Sequence, residues 1–256
     1  MADARLSEQL TDDEAFSLGV ALMRQSRRIV ALTGAGISTP SGIPDFRSAG
    51  SGLWEQDDPT VVISLSVFQR DPRYFYRWIR PLARASAAAR PNPAHRALVE
   101  LEATGRLAAI VTQNIDGLHQ SAGSRNVIEI HGSLLTATCL GCGATTAGLP
   151  LLTAETPLVP SCRCGAVYKP DIVFFEEALR EETIDAALTA CASADLILVV
   201  GSSLEVVPAG RLPLAGLRHG AKLLIVNREP TALDDLAVAR LGGDLADLLP
   251  ALVAGL

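Results

Sequence analysis

The chain has 256 residues, 22 basic against 28 acidic side chains for a formal net charge of −6, and is 48% apolar and 20% charged. That balance excludes a disordered, collagenous or coiled-coil protein. It also argues against a nucleic-acid partner, because a phosphate-backbone binder needs a basic excess.

At about 100–200 residues per domain, the length predicts one large domain or a domain carrying a small insertion. The first ten residues lack the apolar run of a targeting segment, and acids follow at Asp12, Asp13 and Glu14. Apolar runs such as 196–200 fall far short of the ~20 residues a membrane helix needs. The expectation is a cytoplasmic protein with no membrane contact.

In chain order, residues 12–25 show helical periodicity, and 28–33 form a short apolar run that ends in Gly34-Ala35-Gly36. Residues 48–92 are aromatic, Arg-rich and interrupted by Pro. They predict a helical layer in which Arg70, Arg73, Arg77, Arg80 and Arg84 share one face if Pro81 leaves the helix unbroken. Asn92 before Pro93 reads as the N-cap of a helix over 93–104. Further buried strands are expected at 108–112, 126–130, 195–200 and 222–226, with a helix at 181–192.

Strands alternating with helices imply an α/β fold, a Rossmann-like doubly wound parallel sheet. The expected organisation is an NAD-type domain from 1–47, 93–131 and 171–256, a helical insertion at 48–92, and a small lobe at 132–170 with little regular periodicity.

That lobe holds Cys139-Leu-Gly-Cys142 and Cys162-Arg-Cys164. Two tight cysteine pairs joined by a loop of this length suit one tetrahedral zinc ion, each pair reaching two corners. Gly143 and Gly165, one after each pair, are expected to turn backbone N–H groups toward the thiolates. No open position or neighbouring His is evident, so the expected zinc is structural. Cys191, in a helical pattern, reads as core.

The loop Thr33-Gly-Ala-Gly-Ile-Ser38 follows a strand, so its N–H groups are candidates for a pyrophosphate cradle, although the third Gly of G-x-G-x-x-G is missing. Its continuation through Gly42-Ile-Pro-Asp-Phe-Arg47 and Gly52-Leu-Trp54 closely resembles the signature of the sirtuins, the NAD-dependent protein deacylases. The resemblance continues in order through Thr112-Gln-Asn-Ile-Asp-Gly-Leu-His119 with Ala122-Gly123, Glu129-Ile-His-Gly132, the cysteine pairs, Lys169-Pro-Asp-Ile-Val-Phe-Phe175, Gly201-Ser-Ser-Leu204 with Pro208-Ala209, and Ile225-Val-Asn227.

What the resemblance implies is an NAD-dependent lysine deacylase that releases nicotinamide and transfers the acyl group of a modified protein lysine to ADP-ribose. It makes His131 the base on the ribose hydroxyls, a task suited to an imidazole of pKa near ~6.5, and gives Asn114 a second catalytic role. It places Gly34, Ala35, Gly36 and Ser38 at the cofactor, with Asp45, Phe46 and Arg47 in a cofactor-binding loop that shields the reactive carbon. Gln113, Asn114, Ile115 and Asp116 would line the nicotinamide and ribose pocket. Gly201, Ser202, Ser203, Asn227, Arg228, Glu229 and Leu245 would hold the adenosine half, and Val173, Phe174 and Phe175 the substrate lysine. His119, though within a motif, is read as structural.

Three departures stand out. Glu176 occupies the position where the family usually has Gly, which costs about 1 kcal/mol if φ is positive there; its acid also raises the expectation of basic substrate flanks. The Tyr-x-x-Arg of desuccinylases aligns with Tyr76 and Ile79, whereas Tyr74 and Arg77 spell the motif only in a shifted register, which favours acetyl over succinyl lysine. The second cysteine pair is one residue short. Desuccinylation or demalonylation, ADP-ribosyl transfer or NAD hydrolysis on the same fold, and a non-enzymatic zinc and NAD-sensing module are the alternatives left open.

Overall fold

A computed structural model of the chain describes residues 11–44 and 58–256. Among the described residues nine strands form two sheets. Strands β1 (Ile29–Thr33), β2 (Leu107–Thr112) and β3 (Val127–Glu129) belong to the larger sheet, together with β7 (Leu196–Val200), β8 (Lys222–Val226) and β9 (Ala239–Leu241). The three strands between them in sequence, β4 (Gly132–Cys139), β5 (Thr145–Ala147) and β6 (Tyr168–Ile172), make a second, antiparallel sheet.

All pairs in the large sheet are parallel, in the order β3-β2-β1-β7-β8-β9. Every residue of β1 and β7 is buried, which is why both read as continuous apolar runs rather than alternating ones. From β1 the chain builds outward through β2 and β3, then returns to build the other half from β7. The strand order therefore reverses between β1 and β7, and the loops leaving their carboxyl ends diverge to open a crevice.

One face of the sheet is covered by α1 (Asp12–Gln25), α5 (Pro93–Ala103) and α10 (Leu245–Ala254), the other by α8 (Glu181–Ala192) and α9 (Pro213–Arg218). Helix α1 starts at a complete capping box, in which Thr11 and Glu14 each satisfy the other's backbone N–H. Asn92 caps α5 as expected, accepting from Ala94 and His95 N–H with Pro93 in the first turn.

Residues 58–92 form α2 (Pro59–Val62), α3 (Leu65–Arg70) and α4 (Pro72–Ala88); the short helices α6 (Leu118–Ala122) and α7 (Gly148–Thr153) complete the α-helices of the described residues. Helix α4 runs through Pro81, but the chain breaks at Asp71, so Arg70 lies on α3 and the expected five-Arg face is split. Arg80 donates to the carbonyls of Glu155, Pro157 and Leu158, and Arg84 pairs with Glu155. Part of the stripe thus clamps the loop after α7.

The cysteine region is more regular than its sequence suggests. A register shift in the β4–β6 pairing between Gly132 and Ala137 interrupts the alternation by which a strand is recognised. This lobe and the helical layer share one aromatic core, including Phe68, Phe75, Tyr76, Trp78, Leu134, Leu152, Ile172 and Phe174. Phe68, Phe75 and Phe174 meet with ring centroids 4.8–5.4 Å apart.

Candidate active site

The crevice at the carboxyl ends of β1, β2, β7 and β8 is built by two strand-to-loop junctions pressed together. A Cβ on Gly36 would lie 2.9 Å from both the Cα and the carbonyl oxygen of Gly201, and one on Gly34 2.8 Å from the Gly201 oxygen. These glycines let two loop backbones touch. Their N–H groups donate to Gly201 O (2.9 Å) and Val200 O (3.2 Å), and those of Ile37 and Ser38 turn back to Gly34 and Ala35 in a tight 3₁₀ turn. The N–H groups of Gly34, Gly36, Ile37 and Ser38 are thus engaged within the two loops, and the two glycines shape the crevice floor.

Buried polar side chains line this floor. Ser38 Oγ donates to Asp116 Oδ2 (2.7 Å), and Asn114 Nδ2 donates to Gly34 O and Ser38 Oγ (both 3.1 Å). Leu118 N–H holds the other Asp116 oxygen at 2.8 Å. Burial pushes the Asp116 carboxyl above its usual range, and the bonds from Leu118 and Ser38 pull it partly back. Gln113 reaches across the crevice, its Nε2 2.8 Å from Ser202 Oγ, while Ile115 O accepts from Leu134 N–H.

Buried Asn227 directly follows β8 and folds its amide onto Glu229 O at 2.7 Å. Arg228 and Glu229 beside it are exposed. Leu245 opens α10 and packs against Gly201. Ser203 O accepts from Ala232 N–H. Asp45, Phe46 and Arg47 lie outside the described residues.

His131 sits between β3 and β4. Its Nδ1 lies 3.0 Å from the Gln113 carbonyl. A carbonyl only accepts, so Nδ1 carries the proton and Nε2 keeps its lone pair. Burial lowers the His131 pKa below 6.5, against the opposing pull of the Gln113 carbonyl. The chain therefore presents a neutral, tautomer-fixed imidazole. Gly132 after it has φ 74, and a Cβ there would lie 2.0 Å from Asp171 O; only glycine lets β4 start this close to β6.

The His131 carbonyl accepts from Val173 N–H at 2.8 Å, which places the start of 173–175 beside His131. Phe174 points into the aromatic core at 1% exposure, whereas Phe175 is 44% exposed at the surface.

Sequence reasoning missed two features here. His119, read as structural, is indeed buried, with Nε2 2.9 Å from Thr33 Oγ1, which in turn donates to Thr112 Oγ1 at 2.8 Å. Its ring lies 5.0 Å from that of His95, which carried no signal in the sequence. The second is Asn92, whose amide also reaches Ile37 O (2.7 Å) and Ser41 Oγ (2.9 Å), tying α5 to the glycine loop.

The four cysteine sulfurs of the lobe all lie within 4.8 Å of one another. Cys139 and Cys164 are 3.4 Å apart, Cys142 and Cys162 3.7 Å. Tetrahedral bonds of ~2.3 Å to zinc set sulfurs roughly 3.8 Å apart, so the set fits one zinc ion even with the shortened pair. The N–H of Gly141 lies 3.4 Å from Cys139 Sγ, and those of Cys142, Ala144 and Cys164 also face the lobe's sulfurs. Gly143 and Gly165 instead donate to the carbonyls of Cys139 and Cys162. Cys191 is buried in α8, its thiol pushed up to about 12.

The comparisons with known proteins agree with this geometry. The Sir2 family profile matches residues 34–208. An NAD-dependent protein deacetylase 1 of Geobacillus kaustophilus is 46% identical over 84% of this chain and 87% of its own length. A second NAD-dependent protein deacetylase 1, from Pyrobaculum aerophilum, is 40% identical over 97% of both chains. Among solved structures, a Sir2 variant with a deacetylated p53 peptide and 3′-O-acetyl-ADP-ribose superposes with a TM-score of 0.87 at 39% identity, covering 91% of this chain and 95% of that one. A Sir2 homologue in complex with NAD gives a TM-score of 0.87 at 36% identity, covering 93% and 92%.

Proposed function

The chain belongs to the Sir2 family, and from that membership we propose that it is an NAD-dependent protein-lysine deacetylase yielding nicotinamide, O-acetyl-ADP-ribose and free lysine. The observation that carries the reading is His131, its Nδ1 proton held by Gln113 O and its Nε2 without a hydrogen-bond partner among the described residues, beside a floor of buried polar groups at the strand-reversal crevice. NAD supplies the electrophilic ribose carbon and the nicotinamide leaving group. The chain's own residues bind, orient and move protons.

In this assignment Nε2 of His131 takes a proton from a ribose hydroxyl, and the Gln113 carbonyl stabilises the imidazolium that forms. Asp116, oriented by Ser38 and Leu118, accepts from the carboxamide, and Asn114, fixed by two hydrogen bonds, positions the ribose. Ser202, Ser203, Asn227, Arg228, Glu229 and Leu245 are assigned to the adenosine half, with Ile115, Gly201 and the glycine loop shaping the floor. Asp45, Phe46 and Arg47 are assigned to the cofactor-binding loop, and Val173, Phe174 and Phe175 to the acyl-lysine. Cys139, Cys142, Cys162 and Cys164 hold structural zinc.

We take residues 1–47, 93–131 and 171–256 as the NAD-binding domain, 48–92 as its helical insertion and 132–170 as the zinc lobe. Acetyl rather than succinyl specificity is supported by α4: Tyr76 and Ile79 are fully buried in the aromatic core, while Tyr74 and Arg77 lie on the exposed face. No helix among the described residues is long and apolar enough to cross a membrane. A set of thiols placed for zinc rather than for disulfides supports a reducing, cytoplasmic setting.

Acetyl- and succinyl-lysine peptides incubated with and without NAD test the proposal. Acetyl-lysine should be consumed faster, only with NAD, and with equimolar nicotinamide. Nicotinamide released without peptide deacylation supports the hydrolase or transferase reading, and faster succinyl turnover the desuccinylase one.

A further inference from the structure

Two non-glycine residues among those described stand at positive φ, Glu176 (φ 72) and Leu204 (φ 62). A side chain in the left-handed region is strained and persists only where its surroundings hold it. For Glu176 the holding contacts are explicit. One carboxylate oxygen accepts Ser66 N–H at 2.9 Å and the other accepts Ser66 Oγ–H at 3.0 Å. Ser66 lies in the first turn of α3, where backbone N–H groups lack intrahelical acceptors and a carboxylate is favourably placed.

The backbone beside it is tied the same way. Phe175 N–H donates to Ile63 O (2.9 Å), and Leu65 N–H donates to Phe175 O (3.0 Å). Glu177 binds Phe174 N–H at 2.7 Å and Lys169 Nζ at 2.9 Å, and Lys169 also donates to Ile172 O while lying 4.2 Å above the Phe174 ring. Residues 173–177 are therefore fixed at one end to His131 O, in the middle to Ile63 and the first turn of α3, and at the far end to Lys169.

We propose that Glu176 is a positioning residue for the peptide substrate: its carboxylate latches the segment 173–175 onto the first turn of α3 and so sets its height over His131. Glycine would adopt the same backbone without strain, but with no anchor. Each oxygen accepts one bond from Ser66, which holds the carboxylate in place while leaving it lone pairs and charge toward solvent, so the latch adds a geometric role to the expected flank preference. The proposal rests on the deacetylase reading for its kinetic consequence and on hydrogen bonds alone for its structural one.

The test combines steady-state kinetics with amide hydrogen exchange on E176A, E176Q and S66A. E176A should raise the KM for an acetyl-lysine peptide roughly ten-fold, the worth of one charge-assisted hydrogen bond, with kcat and the KM for NAD changed less than about two-fold. Exchange should accelerate in 63–67 and 173–177. E176Q, which keeps an acceptor for Ser66 N–H, should recover most of the peptide affinity, and S66A should show a smaller loss that does not add to that of E176A. An unchanged peptide KM and exchange rate in E176A, or full additivity with S66A, overturns the latch. If the wild-type chain does not deacetylate, the deacetylase reading fails by itself, and the exchange measurement still decides the latch: acceleration confined to those two segments supports it, and none refutes it.

Discussion

Acidification should unfold this protein through two buried imidazoles. The His95 and His119 rings, on α5 and α6, lie 5.0 Å apart and tilted by 58°, both essentially without solvent contact. Burial, with a smaller contribution from nearby charge, lowers His95 to about 4 and His119 to about 3. In the unfolded chain both titrate near ~6.5, so below that pH the unfolded state binds protons the folded state refuses.

The stability these groups support is thus whole above about pH 7 and drains as pH falls through 6.5 toward the folded values. At pH 5 the linkage integral is about 2 kcal/mol for each ring and about 4 kcal/mol for the pair. Against a typical total of ~5–15 kcal/mol, that is a large share. Asp116 and Glu129, whose carboxyls burial raises, act in the opposite sense, since the folded state accepts their protons more readily than the unfolded one.

Urea unfolding at pH 7.5 and pH 5, on the wild type and on H95Q/H119Q, isolates the imidazole contribution, because the double variant keeps the carboxylates and removes both titrating rings. Its absolute stability is not the readout; the difference between the two pH values is. The variant should lose about 4 kcal/mol less than the wild type over that interval. Equal losses would refute the reasoning.

Three further outcomes follow from the site. G36A places a methyl group 2.9 Å from the Gly201 backbone and should cost about 2 kcal/mol or more in unfolding experiments, with at least ten-fold weaker NAD binding by calorimetry; G42A, at φ 85 with open space around it, should cost only about 1 kcal/mol. C162S should lose its zinc to a colorimetric chelator far faster than the wild type. At roughly 2–3 °C per kcal/mol for a chain of this size, it should also melt roughly 10 °C lower. Because burial lowers the His131 pKa, the acid limb of kcat/KM should fall below pH 6.5; a limb centred above 7 contradicts the assignment.

What could be read before folding was whatever is local in the chain. The runs at β1, β7 and β8 are buried on both faces and announce themselves as apolar, and the four cysteines stand close enough in sequence to be recognised as one set. The antiparallel sheet of the lobe was hidden because its alternation is interrupted between Gly132 and Ala137. Edge strand β9 has three residues, too few for any period to show. The His95–His119 contact arises where α5 meets α6, and the Glu176–Ser66 latch spans 110 residues. Glu176 did leave a trace, as a side chain where the family usually has Gly, but only the carboxylate's partners show why it is tolerated.

The most direct test of the central claim compares the wild type with H131A on an acetyl-lysine peptide and NAD, with nicotinamide, O-acetyl-ADP-ribose and free-lysine peptide quantified together. The account predicts equimolar formation of all three by the wild type and a loss of peptide deacetylation of at least ~100-fold, the usual contribution of a general base, in the variant. Deacetylation by H131A at an undiminished rate, or nicotinamide release by the wild type without the other two products, would contradict it.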